Sequence, residues 1–296
     1  MTLASGQNTP MAIALDDTFV YWANSALGAS TPSGTIVKVA LGGGTPVTLA
    51  SGQDAPQFIA VDASNVYWTA GDGGPTGTVM KVPKSGNANP VALAIGQSAP
   101  AGIAGDASYV YWANEVAGGE VLRVSLDGGT PEVLASGQSD PLSVAVDATS
   151  VYWTNFSNQK TGSVMKVAIG GGAAVTLASG LEPHGLAIDA TSVYWADAAG
   201  VMKVPLGGGT PTTLATDPSP SFPVAVAVDA TNAYWMDFSA STVMRVPLAG
   251  GAPTTLASGS FQTSLLGGLA VDECGVYWAN GGDQNLSNGS IAELPK

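Results

Sequence analysis

The chain has 296 residues, with 9 Lys and Arg against 22 Asp and Glu, a formal net charge of −13, one cysteine and one histidine. So few cations, with no basic run, exclude a nucleic-acid partner and disfavour an anionic membrane surface. A lone cysteine excludes an internal disulfide, and no apolar run of ~18 residues is present to cross a bilayer as a helix.

The start, Thr2-Leu3-Ala4-Ser5-Gly6, matches Thr48-Leu49-Ala50-Ser51-Gly52, so the chain opens almost inside a repeat. That abruptness predicts an upstream export segment outside this sequence and a secreted, periplasmic or cell-surface location. Seven Tyr-Trp pairs follow and contain every tryptophan: Trp22, Trp68, Trp112, Trp153, Trp195, Trp235 and Trp278, spaced by 46, 44, 41, 42, 40 and 43 residues. A period near 43 with short strand-like runs predicts a radial, repeated β architecture.

One unit begins at Pro56. Residues 58–62 form a β run, 63–65 a tight turn, and 66–69 a second run rich in β-branched and aromatic residues. A Gly-rich loop leads through Gly77 to a third strand at 79–82, and a polar turn leads to a fourth at 91–94. No segment has a 3.6-residue apolar period, so little helix is expected. The first three strand types occur seven times, but the fourth is missing after Leu294 and present at Thr2-Leu3-Ala4. The expected fold is therefore all-β: a single-domain, seven-bladed β-propeller over 1–296, four antiparallel strands per blade, its ring closed by the N-terminal strand completing the last blade.

Within each unit the first strand ends in an aspartate: Asp16, Asp62, Asp106, Asp147, Asp189, Asp229 and Asp272. Seven equal copies argue for a structural role, accepting backbone N–H bonds in the turn that follows. Tyr and Trp of a pair point to opposite sides of the sheet, so each pair is expected to seal two inter-blade contacts. The third strand repeats a cation at Lys38, Lys81, Arg123, Lys166, Lys203 and Arg245, with Ala292 read into the seventh register. Its stem is expected to pack on apolar surface with the charge in water. Cys274 stands where other units carry Ser or Thr and reads as a tolerated replacement.

These motifs, Ile-Ala-Val-Asp, then Val-Tyr-Trp-Thr or Val-Tyr-Trp-Ala, then a Gly-led third strand and a Leu-bearing fourth, resemble the YWTD family of β-propellers over essentially the whole chain. The Pro-x-x-Ile-Ala-Val-Asp phrasing also resembles NHL-type propellers and bacterial secreted relatives. The family's last position varies here, through Asn24, Ala70, Asn114, Asn155, Asp197, Asp237 and Asn280. Family members in extracellular receptors usually have six blades, so receptor-type partners do not carry over. The resemblance implies a ring-shaped interaction scaffold, usually non-catalytic, with enzymes among distant relatives; a monomer is expected.

Variable loops after the Tyr-Trp strands share one face with the loops leading into the first strands, and that face is the expected recognition surface. Its candidate ligand-binding residues are Asn24, Asp72, Glu115, Asn155, His184, Asp197, Asp237, Asn280 and Asp283. Six lead-in loops carry a proline, at Pro10, Pro56, Pro100, Pro141, Pro183 and Pro223, and the only histidine follows Pro183. His184 is thus expected near the axis.

Two functions follow from this reading. The first is a non-catalytic exported scaffold binding a protein, a glycan or a small polar ligand. The alternative is a lyase or hydrolase at the channel mouth, with His184 and Glu182 as general acid–base candidates. The close likeness of the units also fits a consensus-like scaffold without a ligand. No zinc or other metal motif, phosphate loop, nucleophile elbow or dinucleotide fingerprint occurs. No cofactor is expected, and calcium alone is left open.

Overall fold

The computed structural model describes residues 1–26, 31–71, 73–198, 200–216, 222–259, 268–282 and 288–296. The described residues form 28 strands and no helix. The outlying first strand is β1 (Thr2–Gln7). Blade 1 follows as β2 (Pro10–Leu15), β3 (Phe19–Asn24), β4 (Gly34–Ala40) and β5 (Val47–Gln53). Blade 2 is β6 (Pro56–Val61), β7 (Asn65–Ala70), β8 (Gly77–Pro83) and β9 (Val91–Gln97); blade 3 is β10 (Pro100–Gly105), β11 (Tyr109–Asn114), β12 (Ala117–Ser125) and β13 (Glu132–Ser139). Blade 4 is β14 (Pro141–Val146), β15 (Ser150–Asn155), β16 (Gly162–Ala168) and β17 (Val175–Leu181); blade 5 is β18 (Leu186–Ile188), β19 (Ser192–Asp197), β20 (Gly200–Pro205) and β21 (Thr212–Thr216). Blade 6 is β22 (Pro223–Val228), β23 (Asn232–Asp237), β24 (Thr242–Pro247) and β25 (Thr254–Ser258). The last blade is β26 (Leu269–Val271), β27 (Gly275–Asn280) and β28 (Gly289–Pro295), completed on its outside by β1.

Strand order follows the chain in six sheets, the last taking β1 as its outer strand, and all pairs are antiparallel. The innermost strands touch in sequence around the axis, and β26 returns to β2, so the ring is shut. The closing pair sets Thr2 opposite Ala292, Ala4 opposite Ile291 and Gln7 opposite Gly289. Leu3 and Ala4 are buried there, in one cluster with Trp22 of blade 1 and Tyr277 of blade 7.

That pairing recurs at every interface. Seven apolar clusters each join a Tyr from one blade to the Trp of the next: Tyr21 with Trp68, Tyr67 with Trp112, Tyr111 with Trp153, Tyr152 with Trp195, Tyr194 with Trp235, Tyr234 with Trp278, and Tyr277 with Trp22. The indoles are 0 to 5 % exposed. Truncating one would cost about 3–5 kcal/mol.

Three polar devices support the aromatic wedges. In the first, the turn aspartate accepts backbone N–H bonds two and three residues on, as Asp147 does from Thr149 and Ser150 at 2.7 and 2.8 Å. In six blades its second oxygen also accepts the hydroxyl of the packed Tyr, at 2.6 to 2.8 Å. Burial alone would raise these carboxyls, but such bonds outweigh it and hold Asp62, Asp106, Asp147 and Asp189 below the usual range. Burial and the aspartate push the partner phenols up, to about 12 for Tyr152, Tyr194 and Tyr234.

The second device corrects the sequence expectation for the repeated cations. Instead of ending in water, Lys38, Lys81, Arg123, Lys166 and Lys203 donate to hairpin carbonyls of the following blade, at Lys84, Leu126, Ile169, Leu206 and Leu248, over 2.6 to 2.8 Å. Register also corrects the seventh copy. Tyr277 faces Glu293, as Tyr21 faces Lys38, so the cation's position holds Glu293 and not Ala292.

The third is a clasp in which a Gln from the outer strand of one blade accepts from the Trp and Asn of the next. Gln7 takes Trp22 Nε1 and Asn24 Nδ2 at 2.9 and 3.0 Å, Gln97 takes Trp112 and Asn114, and Gln138 takes Trp153 and Asn155. Where Ala70 replaces the Asn, Trp68 Nε1 is buried without a partner.

Close approach of backbones explains two repeated glycines. A Cβ on Gly77 would lie 2.2 Å from Pro100 Cδ, so the glycine opening the third strand seats the proline of the next lead-in. At the axis, a Cβ on Gly102 would lie 2.4 Å from the Leu142 carbonyl of the neighbouring inner strand. Gly102→Ala is expected to force the two strands apart, at about 2 kcal/mol and roughly 5 °C in Tm, measurable by thermal unfolding. Deleting residues 1–6 removes a paired strand and bares the edge of β28. Calorimetry should show a fall of more than about 10 °C, and an unchanged Tm would rule out closure through β1.

Candidate functional site

The axis holds a cavity of about 180 Å³ lined by inner-strand residues such as Ile13, Phe58, Leu142, Ser143, Leu186 and Val226. Its wall has no charged side chain. Ligand pockets run about 300–1,000 Å³, so the channel is too small for one and attention moves to its mouth. Pairing of Pro10 with Asn24 places the lead-in loops and the loops after the Tyr-Trp strands at the same end, as expected.

Blades 3 to 6 bring an arc of chemistry to that end. Glu115 follows β11, and its N–H donates to the Ala99 carbonyl at 2.9 Å. Asp140 leads into β14 with φ of 49°, its N–H reaching Val116 O and its carbonyl accepting Phe156 N–H at 2.9 Å. Burial and the nearby negative charge of Asp140 push the half-buried Glu115 carboxyl up to about 7. The Phe156 ring packs on His184 at 4.7 Å, His184 on Phe222 at 4.6 Å, and Phe222 on Phe238 at 6.4 Å. Phe238 is 39 % exposed.

His184 is 6 % exposed rather than facing solvent. Its N–H donates to Ala196 O, and its carbonyl accepts from Thr154 Oγ1, both at 2.9 Å. The lead-in is thereby fixed although β18 begins only at Leu186. Burial lowers the imidazole to about 4, against the pull of the Asp197 charge. It is neutral at pH 7, able to accept a proton or hydrogen bond but not to donate as an imidazolium.

The other sequence candidates divide by position. Asn24 and Asn155 are buried in the clasp, their amides also donating to Thr35 Oγ1 and Ser163 Oγ, both at 3.1 Å. Asn280 accepts from Gly282 N–H at 3.2 Å. Asp197 accepts the Glu182 N–H at 3.1 Å, and Asp237 accepts those of Ala240 and Phe222, so in blades 5 and 6 this position braces a loop. Asp237 Oδ2 is buried without a hydrogen-bond partner. Asp72 and Asp283 lie outside the described residues. The arc thus unites Glu115, His184, Asp197 and Asp237, while Asn24 and Asn280 belong to other blades. Among the described residues no group of three His, Cys, Asp or Glu is placed to hold a metal, and no helix is long and apolar enough to cross a membrane.

Sequence reasoning missed Asp140, Phe156, Phe222 and Phe238. The signal was a departure from the repeat: the positions equivalent to Phe156 and Phe238 hold Ser25 and Gly71 in blades 1 and 2.

No protein-family model matches the chain, and no curated protein matches it in sequence. Solved structures do resemble it. A chain of a nidogen/laminin complex aligns over 78 % of this chain and 89 % of its own, at 20 % identity and a TM-score of 0.61. The computationally designed Ika8 protein aligns over 99 % and 98 %, at 16 % identity and 0.64. The PQQ-bound aldose sugar dehydrogenase of Streptomyces coelicolor aligns over 100 % and 96 %, at 16 % identity and 0.59. At such identities the likeness establishes the fold, a β-propeller able to host either binding or catalysis.

Proposed function

We propose that the protein acts on a small polar ligand at the channel mouth, by acid–base chemistry of the hydrolase or lyase type. The observation that carries this reading is the Glu115–Asp140 pair. The Glu115 carboxyl, raised to about 7 by burial and by the charge of Asp140, would donate a proton while Asp140 accepts one. In this reading Glu115 protonates a leaving oxygen and Asp140 takes a proton from water or substrate. Neutral His184 accepts a hydrogen bond from the ligand, and the Phe222 and Phe238 rings offer an apolar face to pack on it. The YWTD- or NHL-like repeat character, the bacterial source and the exported location belong to the same proposal.

A second reading is non-catalytic capture of a glycan, protein or small polar ligand on this face. The exposed Phe238 beside Phe222 favours it, since an aromatic edge at a polar rim suits stacking without turnover.

Screening neutral chromogenic glycosides and esters tests the first reading. Glu115→Gln should lower kcat by about 10²–10⁴ on any substrate found. Absence of turnover, with retention of the protein on a neutral glycan matrix that is lost in Phe238→Ala, would move the conclusion to capture.

Stability offers a check that needs no substrate. The folded carboxyl of Glu115 sits above its ordinary value of 4.5, so its favourable contribution is complete below that pH and lost as pH rises through about 7. Glu115→Gln should match the wild type near pH 4 and exceed it by roughly 1–2 kcal/mol at pH 8 in denaturant titrations, after allowance for its partial exposure.

A further inference from the structure

The seam between blades 7 and 1 departs from a pattern that five other interfaces share. Five interfaces carry a cation from the third strand onto a hairpin carbonyl of the next blade. At the seam that position is Glu293, opposite Tyr277 on the face packed against blade 1. The carbonyl equivalent to those of Lys84 and Leu126 belongs to Leu41, which packs in the same cluster as Tyr277. The register that carries Lys38 to Lys84 O places Glu293 on the same side of its strand, toward the hairpin that holds Leu41.

Two oxygens here are buried without a well-formed hydrogen bond. Glu293 is only 8 % exposed and its Oε2 makes none; the Oη of Tyr277, fully buried, lies beside Asp272 but lacks the close bond to its turn aspartate made in the other six blades. Both side chains converge on Gly275, whose Cβ position would lie 3.2 Å from Tyr277 Cζ and 3.3 Å from Glu293 Cγ. Asp272 stands close enough that its charge, with that of Glu293, adds to burial in raising the Tyr277 phenol. Neighbouring cations have other partners. The Met1 ammonium donates to the Glu293 backbone carbonyl, and Lys296 bonds Asp229 and the Asp272 carbonyl at the opposite interface. Buried carboxylate and phenol oxygens with no ammonium bonded to them are costly unless a cation joins them.

We propose that this seam binds a calcium ion, held by Asp272, Tyr277, Glu293 and the Leu41 carbonyl, in the place a lysine ammonium takes at other interfaces. Two carboxylates match a divalent charge, and an irregular set of oxygens completed by water suits calcium better than magnesium, which demands a near-ideal octahedron. The cation is structural, lies at the opposite end of the blades from the channel mouth, and stands independently of the acid–base reading.

Thermal unfolding of chelator-treated protein, with and without millimolar calcium chloride, tests it. The wild type should gain at least about 3 °C with calcium and distinctly less with magnesium. Glu293→Gln should lose the response. Glu293→Lys restores the residue type of the other interfaces and should raise the calcium-free Tm while abolishing the response. No gain in the wild type, an equal gain with magnesium, or a gain retained in Glu293→Gln would overturn the proposal.

Discussion

Everything in this ring rests on one contact made seven times, the tyrosine of each blade against the tryptophan of the next. A four-stranded sheet of short strands cannot bury both faces alone. A Tyr-Trp pair on its second strand projects one ring to each side, so every blade serves as knob for one neighbour and anvil for the other. The turn aspartate completes the device by accepting the phenol, which gives the buried hydroxyl a partner and fixes the ring's tilt. Ring closure by β1 extends the contact to the seam, where Tyr277 meets Trp22.

Much of this was legible in the sequence, because a period repeated seven times averages out local ambiguity. Blade number, strand order, closure by the N-terminal strand and the facing of Tyr and Trp all follow from spacing and from the alternation of side chains along a strand. Links that depend on how far one blade leans on the next were not legible. The Gln–Trp–Asn clasp joins residues 15 and 17 apart across an interface, and the cation reach spans 40 to 46 residues. Nothing in local pattern announces either. The seventh cation position was misread by one residue, and in a strand such a slip turns the side chain to the opposite face. It hid Glu293, the residue on which the seam's chemistry turns.

Within the candidate site, rarity was the useful signal. His184 stood out as the only histidine, Glu115 was one of several acidic residues expected on the loop face, and the structure sets both on one arc of the mouth. Their partners escaped notice because Asp140 belongs to the next blade's lead-in, and three phenylalanines from blades 4 to 6 meet only when the ring forms. Asn24 and Asn155 show the converse: polar residues beside variable loops, yet buried and bonded between blades. The scaffold repeats, and both proposed sites lie where repetition fails, at the mouth of blades 3 to 6 and at the seam.

Hydrogen exchange of the seven indole N–H groups, followed by NMR under native conditions, tests the interlocked ring most directly. If each interface depends on its neighbours, all seven should exchange through the same global opening, including Trp68 and Trp195, whose indoles have no hydrogen-bond partner. Separate, faster exchange of one or a few indoles would show blades opening independently and would contradict the account.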